Sequence, residues 1–326
     1  MSDLVLVGDT GGTNTRFALA DAASGQLHHI RQFRNAAHAS YEAAVSAYLD
    51  EVGQPSVAAS ALAFAAPITD ATVRLTNHDW TITKAAIQAR TGGRAPLFLN
   101  DLEALAWSLD LLPQGGIEPV GPSEATAPEG GRLVIGIGTG FNAAVLEGGL
   151  GENRRAPVVR VAECGHMTLP IETAEELSLR DHLARGRGRA SVERALSGLG
   201  LVEVHDWACA HLGQPAAPLS GEDITRRGLQ GSDPACLLTC EMLVRFAARI
   251  AGDLALAYLP YGGIYLAGSV TQALRPLIQS ARFSDMFTAK GRQRDLLAGF
   301  PLHILTNGTA ALHGCAALAL SQQPTA

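Results

Sequence analysis

Several absences narrow what this chain can be. It has no excess of basic residues, since 25 Lys and Arg stand against 31 Asp and Glu for a formal net charge of −6. That balance argues against a nucleic-acid duplex or an anionic membrane surface, so neither nucleic acid nor membrane is expected as a partner. No apolar run reaches membrane-spanning length, because Arg249, Asp253 and Gly262 interrupt the longest ones. No signal-type segment precedes the first apolar run, and a cytoplasmic protein is expected. The five cysteines, Cys164, Cys209, Cys236, Cys240 and Cys315, are odd in number and include no close C-x₂-C pair of a zinc site. Cys236 and Cys240, four apart in a helical pattern, read as packing residues. Neither a G-x-G-x-x-G dinucleotide turn nor a P-loop ending in Gly-Lys-Ser/Thr occurs. Low-complexity segments and an appended helix-turn-helix are also missing.

What is there is enough for two domains with cores of their own: 326 residues, 47% hydrophobic and 17% charged. The apolar run Leu4 to Val7 leads into Gly8-Asp9-Thr10-Gly11-Gly12-Thr13-Asn14-Thr15-Arg16, which packs a carboxylate, hydroxyls and adjacent glycines into one turn. Glycines let a backbone double back and bring its N–H groups to an anion, hydroxyls add donors, and Asp9 at the strand end suits Mg²⁺ or its water. A plain Gly-Gly hairpin is the structural alternative. The design recurs, however: the strand from Arg132 runs into Gly138-Thr139-Gly140 and a further apolar run, with the two Thr-Gly pairs 129 positions apart. That is a domain-sized repeat, and two such hairpins would clasp a polyphosphate.

Strands are expected at 4–8, 15–20, 27–33, 57–65 and 95–99, with helices at 40–52, 81–91 and 102–112, the last stopped by Pro113. This β-β-β-α-β-α-β order predicts a mixed sheet flanked by helices. Residues 113–131 read as a surface loop. Strands follow at 132–137, 142–147 and 156–162, then helices, one with the capping box Thr173-Ala-Glu-Glu176 and one capped by Ser191. A long helix at 235–259 feeds a strand at 263–267. A strand at 302–306 and a helix at 309–320 close the chain, the helix packing back on the first domain.

Three further segments carry reactive side chains at element junctions. Asn100-Asp101 ends a buried strand and starts a helix, where the helix dipole favours an ionised carboxylate. Glu163-Cys164-Gly165-His166 sets an acid and an imidazole in a Gly-containing turn, and Glu193 lies in a helix's first turn. Each alone has a structural explanation, the Asn100-Asp101 pair as an N-cap and Glu193 as an acid that satisfies the helix dipole.

Taken in order with the phosphate turns, they make the chain resemble the bacterial ATP-dependent glucokinases of the hexokinase/actin-like superfamily. GDTGGTNTR, LTNHDW at 75–80, LNDLEA at 99–104, GIGTGFN, AECGH at 162–166, VERALSGLGL at 192–201 and GGIYLAGS at 262–269 match nearly end to end. The resemblance implies a two-domain α/β fold of the actin-like/ribonuclease H-like ATPase type, with mixed β-sheets and a cleft between a small domain (1–112 plus 301–326) and a large one (113–300). It implies Asn100, Asp101, Glu163, His166 and Glu193 as the glucose-binding set, with Asp101 the catalytic base. It implies Gly8, Asp9, Thr10, Gly11, Gly12, Thr13, Asn14, Gly138, Thr139, Gly140 and Gly268 as the ATP-binding set, Mg²⁺ at Asp9, phosphorylation of glucose at its 6-hydroxyl, and a homodimer. The cysteine cluster of the related zinc-containing repressor/kinase branch is missing. The chain departs from the family pattern at Phe141-Asn142 (for Leu-Gly), Cys164 (for Gly), Ser269 (for Gly) and Gly308-Thr309 (for Pro-Gly). These departures keep two alternatives open, a sugar-binding regulator with weakened nucleotide use and a kinase of another hexose such as mannose.

Overall fold

The computed structural model describes residues 4–66, 68–69, 71–75, 79–121, 130–150, 156–216 and 218–322. They form two compact units: 1–116, 146–160 and 307–326 in the first, 117–145 and 161–306 in the second. The expected division put 113–116, 146–160 and 301–306 on the opposite sides. Leu150 and Val159 pack against the first unit's apolar core, which accounts for 146–160.

The first unit is built on five strands, β1 (Leu4–Thr10), β2 (Asn14–Asp21), β3 (Leu27–Arg34), β4 (Val57–Phe64) and, further along the chain, Leu97–Asn100. Between these last two come the short strands β5 (Ile68–Thr69), β6 (Thr72–Arg74) and β7 (Thr81–Thr83), which pair among themselves, so Leu97–Asn100 is β8. The five-stranded order is β3-β2-β1-β4-β8, with β1 antiparallel to β2 and parallel to β4, and β8 parallel to β4. Side chains alternate across a strand, and here the alternation sorts large from small. Leu6, Phe17, Leu19, Leu62 and Phe64 face a core completed by Tyr41 and Tyr48 of the helix Tyr41–Glu51. Val5, Val7, Ala18, Ala20, Ala61 and Ala63 face the helices Asp101–Ser108 and Ala310–Ser321. Small residues on that face let the C-terminal helix approach closely: Cys315 Sγ donates to the Gly8 carbonyl at 3.3 Å. β3 closes the edge with exposed His, Arg and Gln, the polar dressing that discourages further strand pairing.

A six-stranded sheet is made of β9 (Ile117–Pro119), β10 (Arg132–Ile137), β11 (Phe141–Glu147), β12 (Val158–Val161), β13 (Ile264–Ala267) and β14 (Leu302–Leu305), in the order β12-β11-β10-β13-β14-β9. Against this sheet lies one core that includes most of the buried face of the 25-residue helix Pro234–Tyr258. Asp233 caps that helix by accepting from the Ala235 and Cys236 N–H groups, and Pro234 stands at its first turn, where no N–H is needed. Cys236 and Cys240 are buried free thiols in its packed face, as expected. The Thr173–Glu176 capping box is formed, and Arg249 grips the same Glu176 through its two terminal guanidinium nitrogens, at 3.0 and 3.2 Å.

Three local expectations need correction. The helix expected at 81–91 starts at Lys84, because Thr81–Thr83 pairs as β7 with β6 and Thr83 becomes the cap. The helix expected to reach 112 stops at Ser108, whose hydroxyl turns back to the Leu105 carbonyl. Ser191 occupies the N-cap of Val192–Ala195 with no side-chain bond to that helix. Residues 122–129 of the expected loop and 76–78 of the LTNHDW motif lie outside the described residues.

The closest approach in the first unit gives a stability test. A Cβ on Gly314 would stand 1.7 Å from the Ala104 carbonyl oxygen, a backbone atom that cannot swing away. Gly314→Ala is therefore expected to cost about 3 kcal/mol, the upper end for an overpacked core, read as a lower melting temperature. An unchanged melting temperature would contradict this packing.

Candidate active site

In the first unit the strand register assembles the chemistry. Thr10 of β1 pairs with Phe64 of β4, and Phe64 with Asn100 of β8, so three parallel strands end at one carboxyl edge. The Asp9–Asn14 turn and the Asn100-Asp101 junction both sit there. The turn is closed by the Gly11 N–H donating to the Asn14 carbonyl at 3.0 Å. Asn35 fastens it from below: its Nδ2 donates to the Gly11 carbonyl at 2.9 Å, its Oδ1 accepts from Thr15 Oγ1 at 2.9 Å, and its N–H donates to the Thr13 carbonyl. Sequence reasoning missed this buried residue, because only the pairing of β2 with β3 brings it beneath the turn.

The turn residues divide by position. Gly8 is packed, since a Cβ there would lie 2.8 Å from Leu62 and 3.1 Å from Phe17. Thr10 is fully buried, its side chain beside Tyr41 and its carbonyl taken by the Ala65 N–H, so it lies beneath the turn. Thr13 is exposed, and Gly11, Gly12 and Asn14 are half-buried. Asp9 faces Arg16, Nη1 to Oδ2 3.6 Å. Burial lifts the Asp9 pKa to about 6, Arg16 opposes that, and the Asp101 carboxylate adds to it. Asp101 opens the helix Asp101–Ser108. Burial raises its pKa, while the Leu102 N–H, 2.8 Å from its Oδ1, and the Asn100 side chain hold it down. Asn100 Oδ1 accepts from the same Leu102 N–H at 3.0 Å, so both residues cap the helix.

Mg²⁺ takes one or two carboxylates and fills its other positions with water and phosphate oxygens. Among the described residues no group of three or more His, Cys, Asp or Glu is placed to hold a metal. Asp9, a partly buried carboxylate repelled by another, fits an ion delivered with a nucleotide rather than a resident one.

In the second unit Gly138-Thr139-Gly140 joins β10 to β11, closed by Gly138 N–H to Gly140 carbonyl at 2.9 Å. β10 and β13 run parallel with Gly136 opposite Ala267, so this turn and Gly268 share a carboxyl edge. Gly268 has φ +99°, and a Cβ would stand 2.3 Å from the Ile137 carbonyl, so the position requires glycine. The segments carrying Glu163, His166 and Glu193 are zipped together. Val192 N–H donates to the Met167 carbonyl and Leu169 N–H to the Ala190 carbonyl, and Arg189 donates to the His166 carbonyl. Glu193 Oε2 accepts from the Phe141 N–H at 3.0 Å, immediately after the turn, and would meet a Gly140 Cβ at 2.6 Å. Gly165 is equally confined, with the Phe141 carbonyl 2.2 Å from where its Cβ would be. Thus Glu193 and the segment carrying Glu163 meet the chain at and just after the Gly138–Gly140 turn, while Asn100 and Asp101 stand with Asp9 in the first unit.

Two α/β units, each ending its parallel strands in a Gly-Thr turn beside carboxylates, define an ATPase of the actin-like class. The model of the Glucokinase family matches residues 6–322. The chain is 35% identical over 323 residues to a glucokinase of Nitrobacter hamburgensis, covering 98% of each, and 32% identical to one of Chelativorans, covering 97% of this chain and 91% of that one. The crystal structure of a glucokinase from an Antarctic psychrotroph superposes with a TM-score of 0.85 at 28% identity, covering 98% of this chain and 99% of that one. A Streptomyces griseus ROK family glucokinase in complex with glucose and AMPPNP shares the fold, with a TM-score of 0.63 at 22% identity, covering 97% and 98%. The chain belongs to the glucokinase family.

The raised Asp9 pKa has a stability consequence. The folded state holds this proton more tightly than the unfolded chain, so the Asp9 contribution falls as pH rises from about 4 to about 6. Without Mg²⁺ or nucleotide, Asp9→Asn should gain stability over wild type across that window, reaching about 2–3 kcal/mol above it. Denaturation of both proteins at a series of pH values checks this, and a difference independent of pH would contradict it.

Proposed function

We propose that this chain phosphorylates D-glucose at the 6-hydroxyl with Mg·ATP, giving glucose 6-phosphate and ADP, with Asp101 as the base. The observation that carries the reading is the Asp101 carboxylate itself: it is partly buried at a helix start, held by the Leu102 N–H, and has a raised proton affinity. A sugar hydroxyl is a poor nucleophile at neutral pH, and a positioned carboxylate that takes its proton corrects this. The 6-oxygen forms its bond to the γ-phosphorus as the bond from that phosphorus to the bridging oxygen breaks. The proton passes to Asp101 and the electron pair leaves with ADP. Mg²⁺ arriving with ATP supplies charge neutralisation on the phosphates.

The remaining residues bind and align. Asn100, Glu163, His166 and Glu193, with Asp101, offer hydrogen-bonding groups for a ring of hydroxyls, each charge-assisted bond worth about 1.5–3 kcal/mol. The backbones of Gly11, Gly12 and Thr13, the Thr13 hydroxyl, and the Gly138–Gly140 turn serve the phosphates, and Gly268 leaves room for the nucleoside. Gly8 and Thr10 act through packing beneath the turn. Residue by residue, these roles rest on the family resemblance together with the placements above. A cytoplasmic homodimer is the family expectation. No helix among the described residues is long and apolar enough to cross a membrane.

Asp101→Asn tests the reading. It should lower kcat by about 10²–10⁴-fold while glucose binding by equilibrium titration stays within a few-fold of wild type. In wild type the acid limb of kcat/KM should lie above the usual carboxylate range, since the base must be ionised and burial raises its pKa. A wild type that binds glucose without turnover would favour the sugar-binding regulator, and equal or better turnover of mannose would change the substrate.

A further inference from the structure

We infer that Asn142 is a positioning residue for the Glu163 carboxylate and sets glucose affinity through it; the inference rests on the proposed role of Glu163 as a sugar ligand. Asn142 stands on β11 two residues beyond the Gly138–Gly140 turn, and its side chain crosses to the Glu163 segment. Its Oδ1 accepts from the Ala143 N–H and from the Cys164 N–H, both at 2.9 Å, and its Nδ2 donates to Glu163 Oε2 at 3.2 Å. The amide has only one workable orientation. Two backbone N–H groups require the oxygen where it is, and a carboxylate accepts only from the nitrogen.

The consequence is a carboxylate whose direction is set before sugar arrives. Glu163 is exposed, and an exposed glutamate otherwise samples many rotamers, a freedom that binding a hydroxyl must remove. With Oε2 engaged by Asn142, Oε1 of this exposed side chain is left to accept a sugar hydroxyl. The preceding residue does the equivalent for the other acid, because the Phe141 N–H holds Glu193 Oε2 at 3.0 Å. Adjacent residues of one strand thereby fix two carboxylates of the sugar set. A glycine at 142 would leave Glu163 without this anchor, and the Cys164 N–H without its acceptor.

The chemistry of Asn142 allows its two jobs to be separated. Asn142→Asp keeps an oxygen for both backbone N–H groups but puts a second carboxylate against Glu163. Asn142→Ala removes both. These variants are combined with Glu163→Gln, and glucose affinity is measured by equilibrium titration beside kcat and the KM values for glucose and ATP. Asn142→Asp is expected to keep the wild-type melting temperature, raise the glucose Kd and KM about fivefold or more, and change kcat and the ATP KM less than about twofold. In the Glu163→Gln background the same substitution should add less than about twofold, the signature of action through Glu163. If Asn142→Asp fails to fold, Asn142→Ala is read in the same cycle against the same expectation. A glucose KM within about twofold of wild type, or the same increase with and without Glu163→Gln, would overturn the inference while leaving the kinase reading intact. A wild type that neither binds nor phosphorylates glucose would overturn both.

Discussion

The first unit is organised around a costly arrangement, two carboxylates held partly out of water and within electrostatic reach of each other at the edge of a parallel sheet. Asp9 and Asp101 reach that edge because β1, β4 and β8 are in register, and burial raises the proton affinity of both. An isolated surface pair would relax into solvent. Here the turn is fastened by Asn35, the helix start by Asn100, and the sheet beneath by the alternation of large and small side chains on its two faces. The surrounding packing thus offsets an unfavourable electrostatic arrangement, and proton transfer is what such an arrangement equips a carboxylate to do.

In the second unit the constraint is steric. Gly140, Gly165 and Gly268 each occupy a position where a Cβ would strike a neighbour within 2.6 Å, and in two of the three that neighbour is a backbone carbonyl. Close approach lets backbone groups and the Glu193 carboxylate converge without side chains filling the space between them. The polar contacts then run through single atoms: the Phe141 N–H to Glu193, the Asn142 amide to Glu163, the Val192 N–H to the Met167 carbonyl. The Gly138–Gly140 turn and the Glu163 and Glu193 carboxylates are therefore one connected structure in this unit.

Much of this was legible in the sequence for physical reasons. The two Gly-Thr turns were visible by their composition, although none of Gly11, Gly12, Gly138 and Gly140 takes a left-handed φ, and the capping box at Thr173 was visible because its donors and acceptors lie three residues apart. Asp101 was visible as an acid at a strand-to-helix junction. Contacts set by register were not. Asn35 reads as an ordinary loop residue until β3 is paired with β2, and Thr10 reads as a ligand hydroxyl until the alternation of β1 buries it. Asn142 looked like a departure from the family pattern, and its bond to the N–H of Cys164, itself a departure, became apparent only with the fold. Short elements were blurred by propensity alone, as when Thr81–Thr83 left the helix to pair with β6.

The central claim is that the chain transfers the γ-phosphoryl group of ATP to glucose rather than to water. Its most direct test is the stoichiometry of ADP and glucose 6-phosphate formed by the wild-type protein with Mg·ATP, with and without glucose. One ADP per glucose 6-phosphate, and negligible ADP without sugar, is the predicted result. ADP release independent of glucose, or no glucose 6-phosphate from a protein that binds glucose, would contradict it.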